Sequence, residues 1–263
     1  METIKVVKIG GHVIDDEAAL HEFLVSFCAI PGPKILVHGG GKLTDRLASL
    51  LGVEQKVIEG RRMTDAPTLD IAVMVYAGLI NKRIVALLQK LGCQAAGFSG
   101  ADGGLLCASR RVAEPVDYGY VGDVKPGAVN TKFLNAQLQS GVTPVICAIT
   151  HNGEGQLLNT NADSIASVIA IALRPHFKVD LFYCFEKPGV MLNPDNENSC
   201  IRELSETDYR RLKSEGVLYG GMLPKLDNAF RALASGSQEV CICGAASLQS
   251  ALSGRAGTKL KVE

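Results

Sequence analysis

The chain has 263 residues, in which 27 lysines and arginines balance 27 aspartates and glutamates; tryptophan is absent and aromatic residues make up 5%. That length buries a full core, in one large domain or in two closely packed lobes. The charge balance, the lack of a long basic run and the scarcity of aromatic side chains give a nucleic-acid surface no support, so small-molecule chemistry is expected.

The chain opens directly into strand pattern with no charged leader, and no stretch reads as long enough to cross a membrane; a cytoplasmic location is expected. Residues 4–11 form a strand whose alternation sets Lys8 just ahead of Gly10 and Gly11. A helix over 17–27 carries Leu20, Phe23, Leu24 and Phe27 on one stripe and ends at Pro31-Gly32-Pro33. Ile35-Leu36-Val37 is a strand buried on both faces, followed by Gly39-Gly40-Gly41 and a helix from Lys42 to near Gly52. A short strand over 55–59 leads to Gly60-Arg61-Arg62-Met63-Thr64-Asp65. Thr64 or Asp65 caps a long helix over about 68–91, with Pro67 in its first turn. Leu69, Ala72, Val73, Tyr76, Leu79 and Ile80 cover much of that helix's circumference, so it is expected to bury one face on the sheet and another on a second subunit.

Strands are expected over 94–98 and 105–112, hairpin character over 118–125, a helix over 131–140, a buried strand over 143–149 and a helix over 162–173. Pro175 marks a hinge between an N-terminal lobe, 1–174, and a C-terminal lobe, 175–263. The second lobe reads as a strand to Phe185, helices over 206–215 and 222–234, a strand over 239–243, a helix from Ser247 and a last strand over 259–262. Strand and helix alternate throughout, which predicts a three-layer α/β/α sandwich with a mostly parallel sheet. The eight cysteines lack Cys-x-x-Cys spacing and read as reduced core residues; the histidines at 12, 21, 38, 151 and 176 make no zinc-type pair.

Chemistry concentrates at glycine turns. A turn without side chains lets backbone N–H groups approach an anion, and a helix start adds partial positive charge, so phosphate suits both Gly10-Gly11 and Gly39-Gly40-Gly41. A plain tight turn is the competing reading. Neither nucleotide fingerprint fits the second turn, because Leu36 and Leu43 stand where a Walker A loop needs glycine and a hydroxyl, and Thr44 where a dinucleotide loop needs glycine. On neighbouring parallel strands, the two tips and Lys8 would face one phosphate chain. Arg61 and Arg62 suit a carboxylate. Asp163 follows Asn159-Thr160-Asn161 at a helix start, where it is either a capping acid or a functional one, and Lys225 follows Gly220-Gly221.

In this order, these stretches resemble the amino acid kinase family, most closely the branch that phosphorylates N-acetylglutamate in arginine biosynthesis. The likeness runs from Lys5-Val6-Val7-Lys8-Ile9-Gly10-Gly11 to Gly257-Thr258-Lys259. It implies that Lys8 and Lys225 stabilise the transferring phosphoryl group and that Asp163 holds them. It further implies that Gly10, Gly11, Gly39, Gly40 and Gly41 surround the phosphates and the substrate's γ-carboxylate, and that Arg62 and Asn159 fix its α-carboxylate end. Glu186, Lys187, Pro188, Gly189, Val190 and Met191, with Val217, Leu218 and Tyr219, would hold ATP with Mg²⁺. The resemblance also implies a homodimer, and, since the first strand starts near Ile4 where arginine-inhibited relatives carry an extra helix, no arginine feedback.

Two departures stand out. Phe185-Glu186-Lys187-Pro188-Gly189 lacks the family's usual strand-end Asp, and Arg61 replaces an apolar residue, which fits either a succinyl group on the substrate nitrogen or a solvated surface arginine. Carbamate, uridylate, aspartate and glutamate 5-kinase activities share the fold. A non-catalytic sensor is disfavoured because it has no transition state for Lys8 and Lys225 to stabilise. A dehydrogenase is disfavoured by the missing fingerprint glycine.

Overall fold

Apolar strand runs demand cover on both faces, and the computed structural model, which describes residues 1–58, 61–112, 114–193 and 195–262 with Arg61 and Glu197 by backbone alone, supplies it. In chain order, β1 (Thr3–Ile9), α1 (Gly11–Asp15), α2 (Glu17–Cys28), β2 (Lys34–His38) and α3 (Lys42–Leu50) precede a small hairpin of β3 (Val57–Ile58) and β4 (Arg61–Arg62). α4 (Ala66–Val73) continues through π-helical turns at Met74–Ile80 into α5 (Asn81–Lys90). Next come β5 (Ala95–Phe98), β6 (Ser109–Arg110), β7 (Val121–Asp123), α6 (Thr131–Gln139), β8 (Thr143–Cys147), β9 (Ile149–His151), β10 (Leu157–Thr160) and α7 (Ala162–Leu173). The last third holds β11 (Lys178–Phe185), β12 (Glu203–Ser205), α8 (Glu206–Ser214), α9 (Met222–Ala234), β13 (Glu239–Gly244), α10 (Leu248–Leu252) and β14 (Thr258–Lys261).

Eight strands form one sheet in the order β12-β14-β13-β11-β1-β2-β8-β5, parallel except for β13 against β14. Helices cover it: α7 packs on β1, β2, β11 and α9, while α2 packs with α5 and α10. The expected three-layer arrangement is what the chain adopts. The sheet passes straight through the expected lobe boundary, because β1 pairs with β11 from Thr3↔Lys178 to Ile9↔Cys184.

Other expectations need correction. Residues 105–112 do not make one strand; they give isolated bridges at Leu106 and Cys107 and the short β6, part of a second, four-stranded sheet β6-β7-β10-β9. The buried run over 143–149 breaks after Cys147, and Ile149 begins β9 of that second sheet. Ala66–Lys90 does reach the length and apolarity of a membrane span, contrary to the sequence reading. Many of its apolar residues pack in the core, among them Ile71, Ala72, Val75, Tyr76, Ile80, Ile84 and Leu88. Asp65 caps α4 by accepting from the Thr68 N–H at 2.9 Å. All eight cysteines are unpaired, and Cys147, Cys184, Cys241 and Cys243 are buried. Glu59 and Gly60 lie outside the described residues.

Candidate active site

β1 and β2 are adjacent and parallel, with Ile9 opposite His38, so their carboxyl ends deliver both glycine turns to the same edge of the sheet. The turns touch. A Cβ on Gly11 would lie 2.8 Å from the Gly40 carbonyl oxygen and 2.9 Å from the Gly41 Cα, so only glycine permits this approach. Gly40 is crowded from the other side, where a Cβ would fall 1.8 Å from Cε1 of Tyr76. The N–H of Gly10 donates to the Cys184 carbonyl at 2.8 Å, which corrects its expected part as a phosphate donor: that group belongs to the sheet. The start of α3 is likewise engaged, since the Lys42 N–H donates to the Asp15 carboxylate at 2.8 Å.

Three chain-distant charges meet beside these turns. Lys8, on β1, places Nζ 2.8 Å from Oδ1 of Asp163, and Lys225, in the first turn of α9, places Nζ 3.1 Å from Oδ2 and 3.3 Å from Oδ1 of the same carboxylate. All three residues are buried. Asn161, not Asp163, caps α7, accepting from the N–H groups of Asp163 and Ser164 at 2.8 and 3.1 Å, so the Asp163 side chain is left for the two lysines. Tyr183 donates its hydroxyl to the Asp163 backbone carbonyl at 3.1 Å, and the rings of Tyr183 and Phe185 each lie 5.6 Å from Nζ of Lys225. Burial works against the Asp163 carboxylate, yet the ammonium groups of Lys225 and Lys8 outweigh it and hold the acid well below the ordinary carboxylate range. Burial moves Lys225 the other way, down from the usual lysine value; Asp163 opposes that shift and Lys8 adds to it.

Next to this cluster lies a cavity of about 310 Å³ lined by Gly39, Gly40, Arg62, Tyr76, Asn159 and Ala162 among others, with Val57, Val121, Ala148, Arg111 and Asp123 also in its wall. Arg62 pairs with Asp45 at 2.6 Å and also donates to the side-chain oxygen of Gln55. Asn159, on β10, donates to Oγ1 of Thr64 at 3.1 Å, tying it to the segment that carries Arg62. Arg61 forms a backbone pair with Ile58, and its side chain lies outside the described set.

Behind the glycine turn, His38 is fully buried. Asn81 donates through Nδ2 to Nε2 of His38 at 3.0 Å and to the Val145 carbonyl at 3.0 Å, which assigns the proton to Nδ1, and Nδ1 donates to the Gly39 carbonyl at 2.8 Å. Burial pushes the imidazole down to about 4 against the effect of the Gly39 bond, and Lys82 adds to the depression.

The expected nucleotide residues divide. Glu186 is exposed with its carboxylate 3.7 Å from Nδ1 of His12; Lys187 and Pro188 are half-buried, Val217 is half-buried and Tyr219 is exposed. Val190, Met191 and Leu218 are buried side chains of the core. The Val190 N–H donates to Oγ1 of Thr258 at 2.8 Å and its carbonyl accepts from the Ile201 N–H, so its backbone groups are engaged as well. Gly189 is buried where a Cβ would come within 2.7 Å of Cys200 and Thr258.

The model of the amino acid kinase family matches residues 3–244. The chain belongs to that family. An acetylglutamate kinase of Azobacteroides pseudotrichonymphae genomovar. CFP2 is 49% identical over 263 residues, the full length of both chains. The acetylglutamate kinase of Parabacteroides distasonis is 45% identical over 248 residues, 94% of this chain and 96% of the relative. Among solved structures, smu.665 from Streptococcus mutans UA159 superposes with a TM-score of 0.79 at 24% identity, over 91% of this chain and 94% of that one. In this amino acid kinase, Tyr76, Arg111 and Asp123 line the cavity, and sequence reasoning gave none of them a part in the site. Tyr76 read as one more apolar residue of a helical stripe. The approach of Arg111 to Asp123 depends on the antiparallel β6–β7 register, which no local pattern announces.

Proposed function

We propose that this amino acid kinase transfers the γ-phosphoryl group of ATP to the side-chain carboxylate of N-acetylglutamate, a step of arginine biosynthesis. The observation that carries the reading is the Lys8–Asp163–Lys225 cluster at the strand tips, 2.8 and 3.1 Å across its two contacts, opening beside a cavity that holds Arg62 and Asn159. The relatives' names supply the acceptor.

A free glutamate side chain has a pKa of about 4.3, so the acceptor is already an anion near neutrality and needs no general base. One carboxylate oxygen attacks the γ-phosphorus as the bond from that phosphorus to the β–γ bridging oxygen breaks, and ADP leaves with the electron pair. The difficulty is repulsion between anions, together with charge on the equatorial oxygens. Lys8 and Lys225 answer both, and Asp163 keeps two like charges close enough to act on one phosphoryl group. Arg62 and Asn159 fix the α-carboxylate end; Gly11, Gly40 and Gly41 leave room for phosphate against bare backbone. Among the described residues no three acidic, histidine or cysteine side chains gather at one point, so Mg²⁺ fits as an ion carried on the nucleotide phosphates, where it neutralises charge. The nucleotide lies over the turn after β11, bordered by Glu186, Lys187, Pro188 and Tyr219.

Two broader proposals accompany this one. Residues 175–263 form the nucleotide lobe, and closing it on the rest excludes water from the labile acyl phosphate. Met74 and Leu79, large apolar residues 52% and 47% exposed on the Ala66–Lys90 helix, mark the face that pairs two copies. The direct test of activity traps the acyl phosphate with hydroxylamine in the presence of ATP, Mg²⁺ and N-acetylglutamate. Hydroxamate is expected; ADP release without hydroxamate would refute carboxylate transfer.

A further inference from the structure

The cavity contains a guanidinium that the reaction above leaves without a task. Arg111 follows β6, its N–H donates to the Val121 carbonyl at 2.8 Å, and its side chain is largely buried, with the Tyr118 ring 5.7 Å from Cζ. Asp123 accepts from Nε at 3.2 Å and from Nη2 through the same oxygen, Oδ1. Nη1 is not part of that pair. The guanidinium is thus steered into place by Asp123 while keeping an edge for a further acceptor.

The wall chemistry around Arg111 is unsuited to a small acyl group. An acetyl group ends in a methyl, and a methyl set against a guanidinium removes water from it without giving a hydrogen bond back. A longer acyl chain ending in a carboxylate fits the same wall at both of its parts: methylenes on Val57 and Val121, carboxylate on Arg111. The cavity, about 310 Å³, is at the lower end of the roughly 300–1,000 Å³ seen for small-ligand sites, so one extended acylglutamate fills it.

We propose that Arg111 receives a terminal carboxylate on the acyl group, so that the preferred acceptor is a glutamate acylated by a four-carbon diacid, N-succinylglutamate, rather than N-acetylglutamate. This rests on the carboxylate-transfer reading above and changes only the acyl group of its acceptor. Arg62 holds the α-carboxylate, Lys8 and Lys225 face the reacting carboxylate, and Arg111 reads the third. Asp123 is a positioning residue for Arg111.

The test compares kcat/KM for N-succinyl- and N-acetyl-L-glutamate, with ATP and Mg²⁺, in the unmodified protein, in Arg111→Met and in Asp123→Asn. The unmodified protein favours the succinyl acceptor by at least about tenfold, a modest margin for a site that bonds a polar group. Arg111→Met lowers that ratio by about tenfold or more. Asp123→Asn weakens the same pair but keeps the guanidinium and an oxygen to orient it, so it lowers the ratio by less than Arg111→Met does. A preference below tenfold in the unmodified protein overturns the proposal, even if a variant fails to fold. So does a ratio unmoved by Arg111→Met, or lowered equally by both variants, which would make the pair a strut. Turnover of N-acetylglutamate alone sinks this inference and spares the parent reading; turnover of neither sinks both.

Discussion

At the scale of single residues, the site is a problem in counting charges. Two ammonium groups share one carboxylate, so removing Asp163 and removing a lysine have opposite structural consequences. Asp163→Asn leaves Lys8 and Lys225 facing each other in a buried setting, and a loss of about 3–5 kcal/mol is expected, read by chemical denaturation. Lys8→Met leaves one ammonium for one carboxylate. That variant should melt close to the parent protein while its turnover falls by roughly 10²–10³. His38 predicts a pH dependence. Its folded pKa of about 4 lies below the ordinary 6.5, so between these values the folded ring stays neutral while the unfolded one takes up a proton, and stability that is full above pH 6.5 is lost as pH falls from 6.5 towards 4. The integrated loss is about 3 kcal/mol. Denaturation midpoints measured at pH 7 and pH 4.5 check it, with His38→Gln as the variant that should flatten this part of the profile.

At the scale of elements, the glycine turn after β2 is held from both sides. The Gly11 backbone fills one flank and the Tyr76 ring the other, so Gly40→Ala must displace Tyr76. Misplacement by an ångström costs about 10²-fold in rate, and the loss should appear in kcat with the fold intact by circular dichroism. The same Ala66–Lys90 helix that carries Tyr76 presents Met74 and Leu79 outward; the double substitution Met74→Glu with Leu79→Glu should shift a dimer to monomer in sedimentation velocity. A dimer that survives both charges would place the pairing face elsewhere.

Legibility follows the range of the forces involved. α7 and α9 begin and end where the sequence placed them, because caps, glycine turns and apolar periodicity act within a few residues. Lys8, Asp163 and Lys225 were found as separate stretches, and the family likeness joined them; no spacing rule links positions 8, 163 and 225. The second sheet was illegible. Its strands are two to four residues long, too short for alternation to show, and its pairings reach from Asn159 back to Val121. The burial of Val190 was illegible for a similar reason, since the turn after β11 folds back into the core through Thr258, 68 positions away.

At the scale of the whole molecule, β1 lies between β2 and β11, near the middle of an eight-strand sheet. β1 therefore has one edge unclaimed until residues 178–185 have been made. The central sheet is complete only when both halves are present, and Lys8, on β1, sits on the seam between them. Synthesised as separate polypeptides, the two halves would have to find each other before either acquired a stable shape.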